Sequence, residues 1–282
     1  LQLFNAAIQH QASSPVSSFS TCSPNARPKT AAIIPAYNEA GRIGDVLRAV
    51  AAADLVDEIL VVTDGCQDST AEEARGVAAR SGELCGRSIP FRIFELKQNM
   101  GKGGAVTHGA HHTDAEVLLF LDADLIGLQA AQVNALLAPM LHKNADERAD
   151  MTLGLFGKTR GGLFGWWLGV CHRSVASITG QRAIRRDVFL AIPNLTRSRF
   201  GVEIAITRYV HAWKLRVDGV PIHDVTHPIK EEKIGVFKGL RHRVNMYGEI
   251  LFYVAADVIR NTVSESHRHQ TLQMRQRFGS GE

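Results

Sequence analysis

Four short apolar runs recur along the first half of the chain, at residues 31–34, 58–62, 91–96 and 117–121, and a segment of helical character separates each from the next. Apolar runs of roughly four to eight residues, bounded by Gly, Pro and Asp, read as buried strands. Between them, residues 41–53 place Ile43, Val46, Leu47 and Val50 at helical spacing, and residues 69–79 open with Ser69 or Thr70 as a capping hydroxyl and Glu72 and Glu73 in the first turn. A third helix opens at Gly101. Strands alternating with helices require crossover connections, hence a mainly parallel sheet covered by helices on both faces. The expected fold class is α/β. Farther on, residues 128–142 read as a helix, 151–156 as a fifth strand, 201–213 and 234–259 as late helices, and 216–220 as a strand between those two. No internal repeat is visible.

Bulk properties narrow the function classes. A chain of 282 residues, 45% of them hydrophobic, supports one large domain with tails. Its first 29 residues, rich in Ser, Gln and Pro without a charged start, are expected to be a disordered leader and not a secretion signal. Residues 261–282 read as a C-terminal tail. The net charge of +4 is mild and the basic residues gather late without forming one stripe, which argues against a nucleic-acid partner and for a phosphorylated or membrane-surface one. Cys22, Cys66, Cys85 and Cys171 show no metal-ligand spacing, so free thiols and a reducing, cytoplasmic compartment are expected. No stretch of eighteen uncharged apolar residues occurs, so no bilayer span is expected.

In open parallel sheets, ligands bind at the carboxyl ends of the strands. Each of the first four strand ends carries a polar loop: Pro35-Ala36-Tyr37-Asn38-Glu39, then Thr63-Asp64-Gly65-Cys66-Gln67-Asp68, then Asn99-Met100-Gly101-Lys102-Gly103, and finally Asp122-Ala123-Asp124. One such loop is ordinary turn chemistry. Four at one sheet edge describe a site. Asp122 and Asp124 lie two residues apart, so in extended chain both carboxylates face one side and suit a hard cation such as Mg²⁺ or Mn²⁺. Lys102 opens a helix among glycines, where backbone N–H groups and the helix dipole favour a phosphate and disfavour a lone cation.

These four motifs in series resemble GT-A glycosyltransferases of the family 2 type, over residues 30 to about 248. Within that group, Gly201-Val202-Glu203-Ile204 and His227 are similar to the glucosyl-3-phosphoglycerate synthases, and Leu121-Asp122-Ala123-Asp124-Leu125 is also similar to the polyprenyl-phosphate sugar synthases. The resemblance implies a GT-A fold, a Rossmann-like sheet whose residues 30–127 form the nucleotide-sugar-binding half and whose residues 128–260 form the acceptor-side half of the same domain. It implies a hexosyltransferase that moves a sugar from a nucleotide sugar, UDP-glucose being the favoured type, to a small hydroxyl acceptor carrying a phosphate. The alternative is a polyprenyl-phosphate sugar transferase at a membrane surface.

Residue by residue, the resemblance assigns Pro35, Ala36, Tyr37 and Glu39 to the nucleoside pocket, Glu39 to the ribose hydroxyls, and Thr63 or Asp64 to the base. Gly101, Lys102, Asp122, Ala123, Gln181 and Arg182 are assigned to the diphosphate and sugar. Asp124 is the leading metal ligand, Asp122 bonds the ribose or the metal through water, and His227 completes the sphere with His223 as its rival. Catalysis is assigned to Lys102, Asp124 and Glu203, the last as acceptor base or as a ligand of the sugar hydroxyls. Lys158, Thr159, Arg160 and Gly180 are expected at the acceptor, where basic groups beside a hydroxyl suit a phosphate. Phe164, Trp166, Trp167 and Leu168, and the run 237–259, are core packing in one reading and an interfacial surface in the other, so a peripheral membrane contact stays open, as does a homodimer.

Overall fold

The computed structural model describes residues 27–86, 88–142, 144–156, 180–197 and 201–226. Among the described residues, seven strands form one sheet: β1 (Thr30–Ala36), β2 (Glu58–Asp64), β3 (Phe91–Leu96), β4 (Val117–Phe120), β5 (Met151–Phe156), β6 (Arg182–Arg185) and β7 (Val217–Ile222). Their spatial order is β3-β2-β1-β4-β6-β5-β7. The expected mainly parallel sheet is present: β1 pairs in parallel with β2 and β4, β2 with β3, and β5 with β7. Only β6 runs antiparallel to its neighbours β4 and β5.

Helices α1 (Ile43–Ala51), α2 (Thr70–Ala79), α3 (Ser81–Cys85), α4 (Gly101–His111), α5 (Ala130–Leu137), α6 (Arg186–Leu190) and α7 (Val202–Ala212) connect the strands. Both sheet faces are buried. Ala32, Ile34, Ile59 and Val61 join Val46, Leu47, Val50, Ala74 and Leu136 in one core, while Ala31, Ile33, Leu60 and Val62 join Val106, Phe189, Ile206 and Val210 in the other. That two-sided burial explains why the strands read as continuous apolar runs and not as alternating ones.

Several expectations need correction. β1 does not stop at Pro35 but runs through it to Ala36, paired with β2. Ile33 O accepts Leu121 N from the β4 side, so Pro35, two residues on, turns its missing N–H to the same side, beyond the end of the β4 ladder. β7 extends two residues past the expected strand, to Ile222. The helix expected over 128–142 is α5 followed by a 3₁₀ turn at Ala138–Met140, with Pro139 at its start. β6 was not anticipated. The aromatic stretch 164–168 and the run 234–259 lie outside the described residues.

Candidate active site

The parallel strands β1, β2, β3 and β4 bring the four polar loops to one edge. β6 starts at that same edge, because Arg182 faces Phe120, the last residue of β4. The antiparallel strand thus delivers Gly180 and Gln181 beside Asp122. Beyond β4 the backbone turns at Ala123 and Asp124, so the two carboxylates do not sit on a strand. Burial still alternates, with Leu121, Ala123 and Leu125 inside and Asp122 and Asp124 partly accessible.

Lys102 sits at the centre. Its Nζ lies 2.5 Å from Asp122 Oδ1 and 2.6 Å from Glu203 Oε1. Burial alone would pull the ammonium pKa down, yet the Asp122 and Glu203 carboxylates outweigh it and the net shift is upward, so Lys102 is charged throughout the physiological range. Gln181 Nε2 donates to Asp122 Oδ2 at 2.9 Å, so both oxygens of Asp122 have protein donors. Gly180 completes this packing: a Cβ there would come within 2.5 Å of Lys102 Nζ and 2.6 Å of Asp122 Oδ2.

Glu203 lies in the first turn of α7, only 8% exposed. Beneath it, Arg182 is 1% exposed and donates from Nη1 to the Glu203 backbone carbonyl at 3.2 Å and to Thr207 Oγ1 at 3.4 Å. Burial pulls Arg182 down to about 10, against the opposing pull of Glu203 and Asp122, and it remains a cation at neutral pH. Arg182 thus supports the site from below.

The nucleoside-side residues are placed as follows. Tyr37 is 49% exposed at the end of β1. Asn38 takes a left-handed conformation with φ of 55°, its N–H donating to Cys66 Sγ at 3.3 Å and its Oδ1 accepting Gln67 N at 2.9 Å. Thr63 is buried and donates its hydroxyl to Phe94 O at 3.3 Å. Asp64 is buried too, and its Oδ1 accepts Met100 N at 2.7 Å, fixing the turn that opens α4. Gly65, at φ of 71°, lets that turn approach, since a Cβ there would meet Asn99 N at 2.8 Å. Neither expected capping hydroxyl caps α2: Asp68 Oδ1 accepts both the N–H and the hydroxyl of Thr70.

His227, Lys158, Thr159 and Arg160 lie outside the described residues. Thr226, however, exchanges backbone bonds of 2.9 and 3.0 Å with Ile126, two residues beyond Asp124. His223 is exposed, and its carbonyl accepts Gln132 Nε2 at 2.7 Å. Among the described residues no three His, Cys, Asp or Glu side chains converge on a common metal position. The chemistry of the donor set nevertheless fits a divalent cation. Asp122, Asp124 and Glu203 outnumber the cations Lys102 and Arg182, so a diphosphate entering this acidic corner needs added positive charge, and Mg²⁺ takes only one or two carboxylates plus phosphate oxygens and water.

Sequence reasoning missed three features: the close fit of Gly180, the Cys66 link between two loops, and a groove of about 510 Å³ between α1 and residues 125–129, edged by Arg42, Asp45 and Arg48. Only glycine at 180 carried a sequence signal. Among the described residues no helix is long and apolar enough to cross a membrane.

Comparison with known proteins agrees with this geometry. The model of glycosyl transferase family 2 matches residues 31–208, more than half of the chain. A dolichyl-phosphate beta-glucosyltransferase of Trichomonas vaginalis is 36% identical over 104 residues, 34% of this chain and 29% of the relative. A glucosyl-3-phosphoglycerate synthase of Mycolicibacterium smegmatis is 32% identical over 111 residues, 39% of this chain and 35% of the relative. The matched stretches therefore span about a third of those relatives' length. Among solved structures, glucosyl-3-phosphoglycerate synthase from Mycobacterium tuberculosis, in complex with Mn²⁺, uridine-diphosphate and glucosyl-3-phosphoglycerate, superposes with a TM-score of 0.62 at 20% identity, covering 83% of this chain and 81% of that one. At that identity the likeness is one of fold. With its four motif loops on one sheet edge and the family model spanning them, the chain belongs to glycosyl transferase family 2.

Proposed function

We propose that this chain is a divalent-metal-dependent glycosyltransferase that moves a hexose from a nucleotide sugar, a UDP-sugar such as UDP-glucose in the first instance, to a hydroxyl acceptor that carries a phosphate. The observation that carries this reading is Lys102, a cation at a helix N-terminus held by two carboxylates from different elements. A lone cation there is disfavoured by the helix dipole, and a diphosphate would reverse that.

Breaking the bond from the anomeric carbon to the diphosphate places negative charge on the leaving group. A bound Mg²⁺ or Mn²⁺ would supply Lewis-acid charge to the diphosphate oxygens. Asp124 is the first ligand in this reading and His227 the second, supported by the Thr226–Ile126 bonds that bring the chain to Asp124. Asp122 serves differently from a simple ligand: bonded to Lys102 and Gln181, it holds both at the sugar side. Lys102 sits where charge develops, which is where a fixed charge helps catalysis most. Tyr37 and Glu39 line the nucleoside pocket, and Asp64 shapes that pocket through Met100 N. Glu203 faces the reaction across Lys102, as acceptor base or as a ligand of the sugar hydroxyls.

The acceptor has a second reading, a polyprenyl phosphate, favoured by the 36% identity to dolichyl-phosphate beta-glucosyltransferases. Both acceptors present a phosphate, for which Lys158, Thr159 and Arg160 are the proposed partners. A thermal-shift panel of UDP- and GDP-sugars with Mn²⁺, followed by transfer assays with 3-phosphoglycerate and with dolichyl phosphate in detergent, tests the reading. A rise in Tm with one nucleotide class and transfer to one acceptor class is expected. No shift with any nucleotide sugar would overturn it.

A further inference from the structure

The helix after the first strand of an α/β sheet ordinarily offers its N-terminal N–H groups to anions. In this protein the N–H groups in its first turn and in the turn just before it are already engaged, Gly44 N being the one within α1. Gly41 N donates to Glu73 Oε2 at 2.6 Å and Gly44 N to Glu73 Oε1 at 3.1 Å. Ala40 N donates to Asp68 Oδ2 at 3.1 Å, and Glu39 N to Thr70 Oγ1 at 2.9 Å. Every acceptor comes from α2 or the turn before it, so one helix caps another. The chain is shaped for this contact, because a Cβ at Gly44 would lie 2.6 Å from Glu73 Oε1.

We propose that Glu73 is a positioning residue for the donor: its carboxylate occupies the N-terminus of α1 and, with Asp68 and Thr70, fixes the 37–41 loop in the form that receives the nucleoside. The inference rests on the reading above that Tyr37 and Glu39 line the nucleoside pocket. Glu73 touches no donor atom itself; it acts through the backbone that carries those two residues. The start of α1 is thereby closed to phosphate.

Calorimetry on the full chain with Mn²⁺ tests this, using uridine and UDP, or guanosine and GDP if the parent prefers them. Glu73→Gln replaces one acceptor oxygen by an amide that faces an N–H, and should weaken nucleoside and diphosphate by the same factor, about tenfold. Gly44→Ala, which pushes the carboxylate aside, should do likewise and covers the case in which the first variant does not fold. Gln129→Ala, which breaks the capping box of α5, is the structural control: it lowers Tm and leaves nucleoside affinity at the parent value. Nucleoside affinity within twofold of the parent in folded Glu73→Gln or Gly44→Ala would overturn the inference, as would an equal loss in the control. If the parent binds neither nucleotide, the proposed function itself fails, and this inference with it.

Discussion

Two helices begin at the same sheet edge with opposite chemistry. The N-terminus of α1 is filled by protein carboxylates, Asp45 in its own first turn and Glu73 from α2. α4 has no acidic residue in its first turn and opens instead with a glycine and the ammonium of Lys102. A carboxylate at a helix start is favourable by about 0.3–1 kcal/mol, and a cation is unfavourable by a similar amount. Both starts thus have protein acceptors, Glu73 on Gly44 N at α1 and Asp64 and Asn99 on Met100 N and Gly101 N at α4, but only α4 adds a cation, Lys102, that an anion would favour. Asp122, just beyond β4, and Glu203 of α7 hold Lys102 there. In the proposed function a diphosphate would be met at the α4 end, where Lys102 and Asp122 pair.

The contrast breaks most sharply at Lys102. Lys102→Met should lower kcat/KM by about 10²–10³-fold, the usual effect of removing one charge aimed at a leaving group, while circular dichroism stays native and nucleoside affinity is kept. Initial-rate measurements over donor concentration check this. Gly180→Ala should act next most strongly. Its Cβ would crowd Lys102 Nζ and Asp122 Oδ2 together, and a misplaced group of this kind costs on the order of 10–100-fold in kcat. Because Gly180 touches nothing on α1, uridine binding in that variant should match the parent.

The smallest effect concerns stability at the closed end. Asp68 is slightly penalised by burial, but bonds from the Thr70 hydroxyl and from the N–H groups of Ala40 and Thr70 hold its pKa below the ordinary carboxylate value. A depressed carboxylate stabilises the fold above its ordinary pKa, about 3.9, and loses that contribution as pH falls through the lower folded value. Asp68→Asn should therefore melt below the parent at pH 7, and the gap should narrow as pH drops below about 4. Thermal melts across that range check the sign. A gap that widens in acid would contradict it.

The difference between the two helix ends also shows what a sequence can disclose. Strands β3 and β5 fall on the residues expected from composition, and the four loops lie at one edge as a parallel sheet requires, because those signals are local. Lys102 was legible for the same reason: glycines on both sides and an unfavourable dipole are visible within a few residues. Glu73 was legible only as a first-turn acid of its own helix. That it serves α1 depends on two helices meeting side by side, which no spacing records. β6 is four residues long, and Arg182 in it is assigned to the sugar by the resemblance, whereas in the fold its guanidinium bonds the Glu203 carbonyl from beneath. Arg182 is buried, and its bonds reach partners 21 and 25 positions away, the Glu203 carbonyl and the Thr207 hydroxyl. Pro35 reads as a strand stop, and only the early end of β4 shows why the strand continues through it.

In the proposed function the corner of Lys102, Asp122 and Asp124 is an acidic site that would accept a nucleoside diphosphate only together with a divalent cation. Calorimetric titration of UDP and GDP into the full chain, with Mn²⁺ and then with EDTA, tests it most directly, with Asp124→Asn alongside. One of the two nucleotides should bind at least about 100-fold more tightly with Mn²⁺, and Asp124→Asn should lose most of that gain while its affinity in EDTA stays at the parent's. Equal affinity in Mn²⁺ and EDTA, or a full metal effect in Asp124→Asn, would contradict it.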